Sequence, residues 1–450
     1  MGAEHPGAVR REAILQRLVT AYIVTGLLFM LAPGTLLGAW NLISISSRRS
    51  LGILSPEWLQ AHGHAQIFGW VGSFILGIGF YSISKMARLP SFSAGWGWLS
   101  WILWTCGALA RWATTLYLWH WRVALPISAA LELIAFLIFF RTVSRHRPGG
   151  PKRQAQAWMI VAIGATLGLL FTLTANLGAA VWLSSRGASP ALPHLLDQRL
   201  LVLSTWGFLV PFVWAFNARW LPIFLGLADP FERGLLAAFA INTAAVATAL
   251  AGYLPVWAAL TMIGSAVAAF SLHVFEKAEK PAKIQGVHPG FPYFVRGAWT
   301  WLLVAAGLSM WAVTGDRNGG IWGASRHALT VGFVSTMVFA IGQRVLPAFC
   351  GMRILFSKRL MLGSLFLLNL GCFLRVSSEI PAYEGYGTEA WPILPVSALL
   401  ELTAVTLFAV NLGVTLLRPP AHLTKVERKV PSGKLISTES HKSLSSTFWN

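Results

Sequence analysis

Apolar residues run along the chain in stretches of about 20, each closed by a short polar or basic link, and the pattern recurs from end to end. One such stretch, wound as a helix, crosses the ~30 Å hydrocarbon core of a bilayer. The pattern predicts about twelve spans, near 14–38, 58–84, 95–118, 122–142, 157–183, 199–221, 233–252, 254–275, 295–314, 322–346, 360–376 and 391–417. The expected fold is therefore an all-α integral membrane protein with one polytopic domain over 14–417. Residues 1–13 are expected as a cytoplasmic N-terminus and 418–450 as a basic, disordered cytoplasmic tail rich in Ser and Pro.

Composition agrees with lipid as the partner. Hydrophobic residues make up 55% of the chain and charged residues 11%, against about a quarter charged in a soluble domain. Lys and Arg (35) outnumber Asp and Glu (16), a net +19 that in a soluble protein would suggest nucleic acid. Here the excess sits in short loops: Lys85/Arg88, then Arg141 to Arg153, then Lys277, Lys280 and Lys283, then Arg353, Lys358 and Arg359. All these loops fall on the side of the N-terminus, while the opposite stretch Ser377 to Ala390 holds Glu379, Glu384 and Glu389 and no base. The positive-inside rule then puts both termini in the cytoplasm, with no role for nucleic acid. The first apolar run is too long for a signal-peptide core and is expected to remain as a helix. Cys106, Cys350 and Cys372 have no paired spacing, so neither a disulfide framework nor a zinc knuckle is expected.

Internal repetition is the most informative pattern. T-W-G-F at Thr205 runs past Arg219 to Leu221-Pro222, and T-V-G-F at Thr330 runs past Arg344 to Leu346-Pro347, with no gap between the two copies. H-A-Q-I-F-G-W at His64 is a looser third copy that aligns Gly69 with Gly207 and Gly332. A second element recurs as L-P-I-S-A-A-L-E ending at Glu132, L-P-V-S-A-L-L-E ending at Glu401, and L-P-V-W-A-A-L-T ending at Thr261. Two elements in one order divide the chain into three units of four helices, about 14–145, 157–275 and 295–417, and predict a quasi-threefold bundle.

Alignment of the copies isolates the residues able to carry chemistry. His64 and His327 share a register that is Val202 in the middle unit, and Glu132 and Glu401 share one that is Thr261. Arg111 and Arg375 lie on the helices before those glutamates, where the middle unit has no Arg in its apolar stretch. Ionisable residues at membrane depth are costly and suggest function. His64 and His327 lie about two turns, roughly 10 Å, inside the non-cytoplasmic end of their helices. Two imidazoles at one level suit a six-coordinate haem with one Nε2 on each axial face, and Ala65, Gly69, Ala328 and Gly332 leave room for a flat ring. Arg111 and Arg375 could clamp its propionates, or pair with Glu132 and Glu401 as buried ions must. Arg326 is a further candidate for a propionate. His62 projects to another helix face, as a supporting partner, a copper ligand or an interfacial residue.

H-x-H-A-Q-I-F-G-W on one helix and R-H-A-L-T-V-G-F on another resemble the signatures of the NnrS family, twelve-helix bacterial membrane proteins related to subunit I of the haem-copper oxidases. The resemblance covers about 14–417. It implies a haem b protein of the bacterial cytoplasmic membrane, with copper also associated with the family, acting in the response to nitric oxide or nitrosative stress, with nitric oxide or a redox protein as partner. The haem ligands of the related oxidases correspond to His64 and His327. The chain departs from the oxidases at Ser325, where they carry a second histidine, and it has no histidines on its sixth and seventh helices for a second metal, so no binuclear centre is expected. Two other classes stay open: a transporter that uses the Arg111/Glu132 and Arg375/Glu401 pairs, and a non-catalytic electron-transfer subunit. No reaction is assigned.

Overall fold

The computed structural model describes residues 6–86, 94–144, 156–283, 285–351 and 353–418. The expected tail from residue 419 onward, residues 1–5, and the basic residues Arg88, Arg145, Arg147, Lys152 and Arg153 lie outside the described residues. No strand occurs among the described residues. Twelve long helices follow in order: α1 (Glu12–Arg48), α2 (Pro56–Ser82), α3 (Ala94–Tyr117), α4 (Trp121–Ser144), α5 (Ala157–Arg186), α6 (His194–Leu225), α7 (Glu232–Ala251), α8 (Leu254–Ser271), α9 (Phe291–Gly315), α10 (Gly320–Phe349), α11 (Lys358–Glu384) and α12 (Ile393–Leu417).

Eleven of the twelve are long and apolar enough to cross a membrane; α3, with five tryptophans and Arg111, is not among them. Large apolar side chains such as Leu28, Leu109, Phe171, Phe270 and Phe373 remain exposed on the outside, where acyl chains rather than water solvate them. The helix runs back to Pro6, ahead of the span Glu12–Arg48, so most of the segment expected as an N-terminal tail is helical.

α3/α4, α7/α8 and α11/α12 each form a closely packed hairpin, as do α1/α2 and α9/α10, and α12 returns to pack on α1. Small residues permit this closeness. A Cβ on Gly107 of α3 would lie 2.8 Å from Cγ of Glu132, and one on Gly371 of α11 would lie 2.7 Å from Cγ of Glu401. The two glutamates that share a register in the sequence are thus pressed against equivalent glycines.

The repeated T-x-G-F element has a backbone counterpart. α2, α6 and α10 each widen into π-helix, over Ala65–Gly72, Thr205–Leu209 and Ala328–Ser335, with Gly69, Gly207 and Gly332 inside the three stretches. Buried carbonyls require donors, and in two of the three stretches a side chain from a neighbouring helix supplies one. Trp104 of α3 donates to the Phe68 carbonyl at 3.2 Å, and Asn242 of α7 donates to the Trp206 carbonyl at 2.7 Å. Phe68 and Trp206 each immediately precede the shared glycine.

Candidate functional site

One cavity of about 1040 Å³ lies among the helices and takes its wall mainly from α1, α2, α5, α6, α10, α11 and α12, with Arg111 of α3, Trp257 of α8 and Ser309 of α9. The connecting segments that line it, before α2, between α5 and α6, and before α10, all lie opposite the face that carries the start of α1. The α5–α6 connection is fastened over it at both ends. Arg122 donates to the carbonyls of Ser184 and Gly187, at 2.9 and 3.1 Å. Gln60 of α2 donates to Leu192 O at 2.9 Å and accepts from Leu192 N at 2.8 Å.

His62, His64 and His327 all line this space, each held differently. Nδ1 of His327 is 2.9 Å from the Gly323 carbonyl and 3.1 Å from Oε2 of Glu379. The contact with Glu379 depends on Gly323, because a Cβ there would come within 2.2 Å of Glu379 Oε1. Nδ1 of His62 is 2.8 Å from the Gly34 carbonyl, in the π-helical stretch Met30–Leu36 of α1. His64 is turned the other way: its Nε2 is 2.7 Å from Oε1 of Glu132 on α4, and its ring stacks near Phe68 with centroids 4.6 Å apart. Glu132 is fully buried and outside the cavity lining. The His327 side chain is 29% exposed against 8% for His64, an exposure that for both is toward the cavity.

The family model described as NnrS protein matches residues 8–419, nearly the whole chain. The chain belongs to the NnrS family. No curated protein matches it.

The arginines of this NnrS protein do not pair as the repeat registers suggest. Arg375 donates from Nη2 to Oε1 of Glu379, one turn along its own helix, at 3.2 Å, and its Nε lies 3.2 Å from Oε2. Glu401 lies within electrostatic reach of His327 and Arg375, but its Oε1 is buried without a hydrogen-bond partner. Arg111 is 4% exposed and lines the cavity, with Nη1 buried and unpartnered. Its expected partner Glu132 is taken by His64, although the two remain electrostatic neighbours. Arg326 donates from Nε to the Trp322 carbonyl at 3.2 Å and also lines the cavity.

Two acidic residues of this cavity escape the sequence patterns. Glu379 was expected in an outer loop, but α11 runs eight residues past the predicted end at 376, and Glu379 is 2% exposed. Arg-x-x-x-Glu at helical spacing is the signal that locates it. Asp197 lies in the first turn of α6, which begins at His194 rather than near 199. There it neighbours Arg111, Arg326 and His194, so the middle unit contributes charge to the cavity after all. His194, just before the expected span near 199–221, is the first residue of α6 and lines the cavity as well.

Proposed function

We propose that the cavity of this NnrS protein holds one haem of b type, ligated by two histidines, and that the protein serves the response to nitric oxide or nitrosative stress. Its place is the bacterial cytoplasmic membrane, with both termini on the cytoplasmic side. The observation that carries the reading is the His327 ring, whose Nδ1 is held by the Gly323 carbonyl, with a carboxylate oxygen of Glu379 3.1 Å away, while its other nitrogen is left to the cavity. Ligating histidines are characteristically oriented by such a contact on the nitrogen away from the metal.

Other features support it. About 1040 Å³ is just above the ~300–1,000 Å³ typical of cofactor pockets. The unpartnered Nη1 of Arg111, with Arg326 and Arg375 in the same wall, suits carboxylate groups on the ligand. His64 and His62 are both candidates for the second axial position. The fold is related in this reading to subunit I of the haem-copper oxidases, without their binuclear centre. Ser325, at the position of their additional histidine, bonds instead to Ser309 Oγ at 2.8 Å and to the Ala305 carbonyl at 2.9 Å. Copper rests on the family resemblance alone. When bound, a haem with two histidine ligands passes single electrons and admits a gas once a ligand leaves.

The test is an absorption spectrum and metal analysis of the detergent-purified protein after expression with added haem precursor. A Soret band present in wild type and lost in His327→Ala is expected, and a colourless wild type overturns the reading. A strain carrying His327→Ala is expected to grow as poorly as the deletion strain under a nitric oxide donor. The rival reading is transport, supported by the charged lining of Arg111, Arg326 and Asp197. Flux into liposomes that survives loss of the histidines but not Glu132→Gln would favour it, whereas co-purification with a catalytic complex would favour an electron-transfer subunit.

A further inference from the structure

We infer that the axial partner of His327 is His62, and that His64 is a structural residue that ties α2 to α4. The inference rests on the haem reading above and goes beyond it by assigning the ligand that the repeat register points away from.

Proton placement separates the three rings. A backbone carbonyl only accepts, so the nitrogen it binds must carry the hydrogen. Nδ1 of His62 faces the Gly34 carbonyl and Nδ1 of His327 faces the Gly323 carbonyl. Both rings are thereby held as the tautomer that leaves a lone pair on Nε2. His64 presents Nε2 to a carboxylate at 2.7 Å, which places the hydrogen on that nitrogen and leaves no lone pair there for iron.

Direction agrees with proton placement. Residues two apart on a helix project about 200° apart at ~3.6 residues per turn, so His62 and His64 do not serve one ligand from one face. His64 points to α4, while the electrostatic neighbours of His62 are His327 and Arg375. The His62 ring also has a fitted seat on α1. A Cβ on Gly38 would meet its Cε1 at 2.5 Å and its Nδ1 at 2.8 Å. Each of the two open imidazoles thus has a glycine carbonyl behind Nδ1 and a glycine whose missing side chain makes its surroundings possible.

The experiment compares wild type, His62→Ala, His62→Met, His64→Gln and His64→Met as purified, monodisperse protein, by absorption and electron paramagnetic resonance. His64→Gln and His64→Met are expected to keep the low-spin bis-histidine signature. His62→Ala is expected to turn high-spin and to regain low-spin character on addition of imidazole, and His62→Met to stay low-spin with an altered near-infrared band. Low-spin haem that survives in His62→Ala without imidazole overturns the inference, as does a change of ligation in the His64 variants. Wild type that takes up no haem overturns the reading beneath it, so the two failures are told apart.

Discussion

Nε2 of His64 and Oε1 of Glu132 stand 2.7 Å apart, a contact between α2 and α4 in which the carboxylate is fully buried. The matching histidine of the third unit makes no such bond: His327 is held by the Gly323 carbonyl with Glu379 alongside, and Oε1 of Glu401 has no hydrogen-bond partner. One sequence register therefore has two uses, a closed pair in the first unit and an open ring in the third. Removing one member of the closed pair strands the other, at a cost of about 1–3 kcal/mol for an unsatisfied buried group. Glu132→Leu is expected to lower stability by that amount, Glu132→Gln by less, and His64→Leu/Glu132→Leu by less than the sum of the two single changes. Unfolding in mixed detergent and dodecyl sulfate measures this, and strict additivity would show that the contact contributes nothing.

The helices were largely legible because lipid requires long apolar runs, and charge marked where those runs should end. That criterion failed where charges are neutralised inside the protein. The expected span 360–376 ends just past Arg375, yet α11 continues to Glu384, with Glu379 paired to that arginine one turn on. α6 likewise starts at His194, with Asp197 in its first turn. The repeat registers single out His64 and His327, and both rings line the cavity. They could not foresee the orientation of His62 and His64, because that is set by the Gly34 carbonyl, 28 residues away, and by Glu132, 68 residues away. The π-helical stretches were illegible too, since their composition is that of any membrane helix.

The Arg375–Glu379 pair predicts a sharper asymmetry. Both side chains are below one-tenth exposed, and removing one partner of a buried pair costs about 3–5 kcal/mol because a bare charge is left behind. Glu379→Leu is expected to show that loss, and Arg375→Met with Glu379→Leu to recover most of it. Thermal denaturation followed by size-exclusion of the soluble fraction measures both. A double variant as unstable as Glu379→Leu would mean that the carboxylate acts mainly through His327 rather than through Arg375.

Gly38 and Gly63 form a matched pair of probes next to His62. A methyl on Gly38 meets the His62 ring at 2.5 Å, whereas one on Gly63, between His62 and His64 in the chain, meets nothing within 4 Å. Gly38→Ala must turn the imidazole off the Gly34 carbonyl, and loss of such an orienting contact typically costs about 10–100-fold in metal affinity. Gly63 also lines the cavity, but Gly63→Ala displaces no protein atom and is expected to lower haem affinity far less than Gly38→Ala while stabilising the helix by about 0.5–1 kcal/mol. Haem titration of the apoprotein distinguishes them, and equal affinities would remove Gly38 from the seat of the ring.

The side from which the cavity is reached follows from loop charge and can be measured directly. Ala188 is exposed on the α5–α6 connection that lines the cavity, and Lys277 is exposed in the basic segment between α8 and α9, on the opposite face. Basic loops stay in the cytoplasm, so Ala188 should face outward. Cys106 is exposed and Cys350 and Cys372 are buried, so all three are first replaced by Ser or Ala to give a silent background. Ala188→Cys is expected to react with a membrane-impermeant maleimide in intact spheroplasts, and Lys277→Cys only after lysis. The reverse pattern would invert the topology and put the mouth of the cavity in the cytoplasm, so that ligands would enter from the reducing side of the membrane.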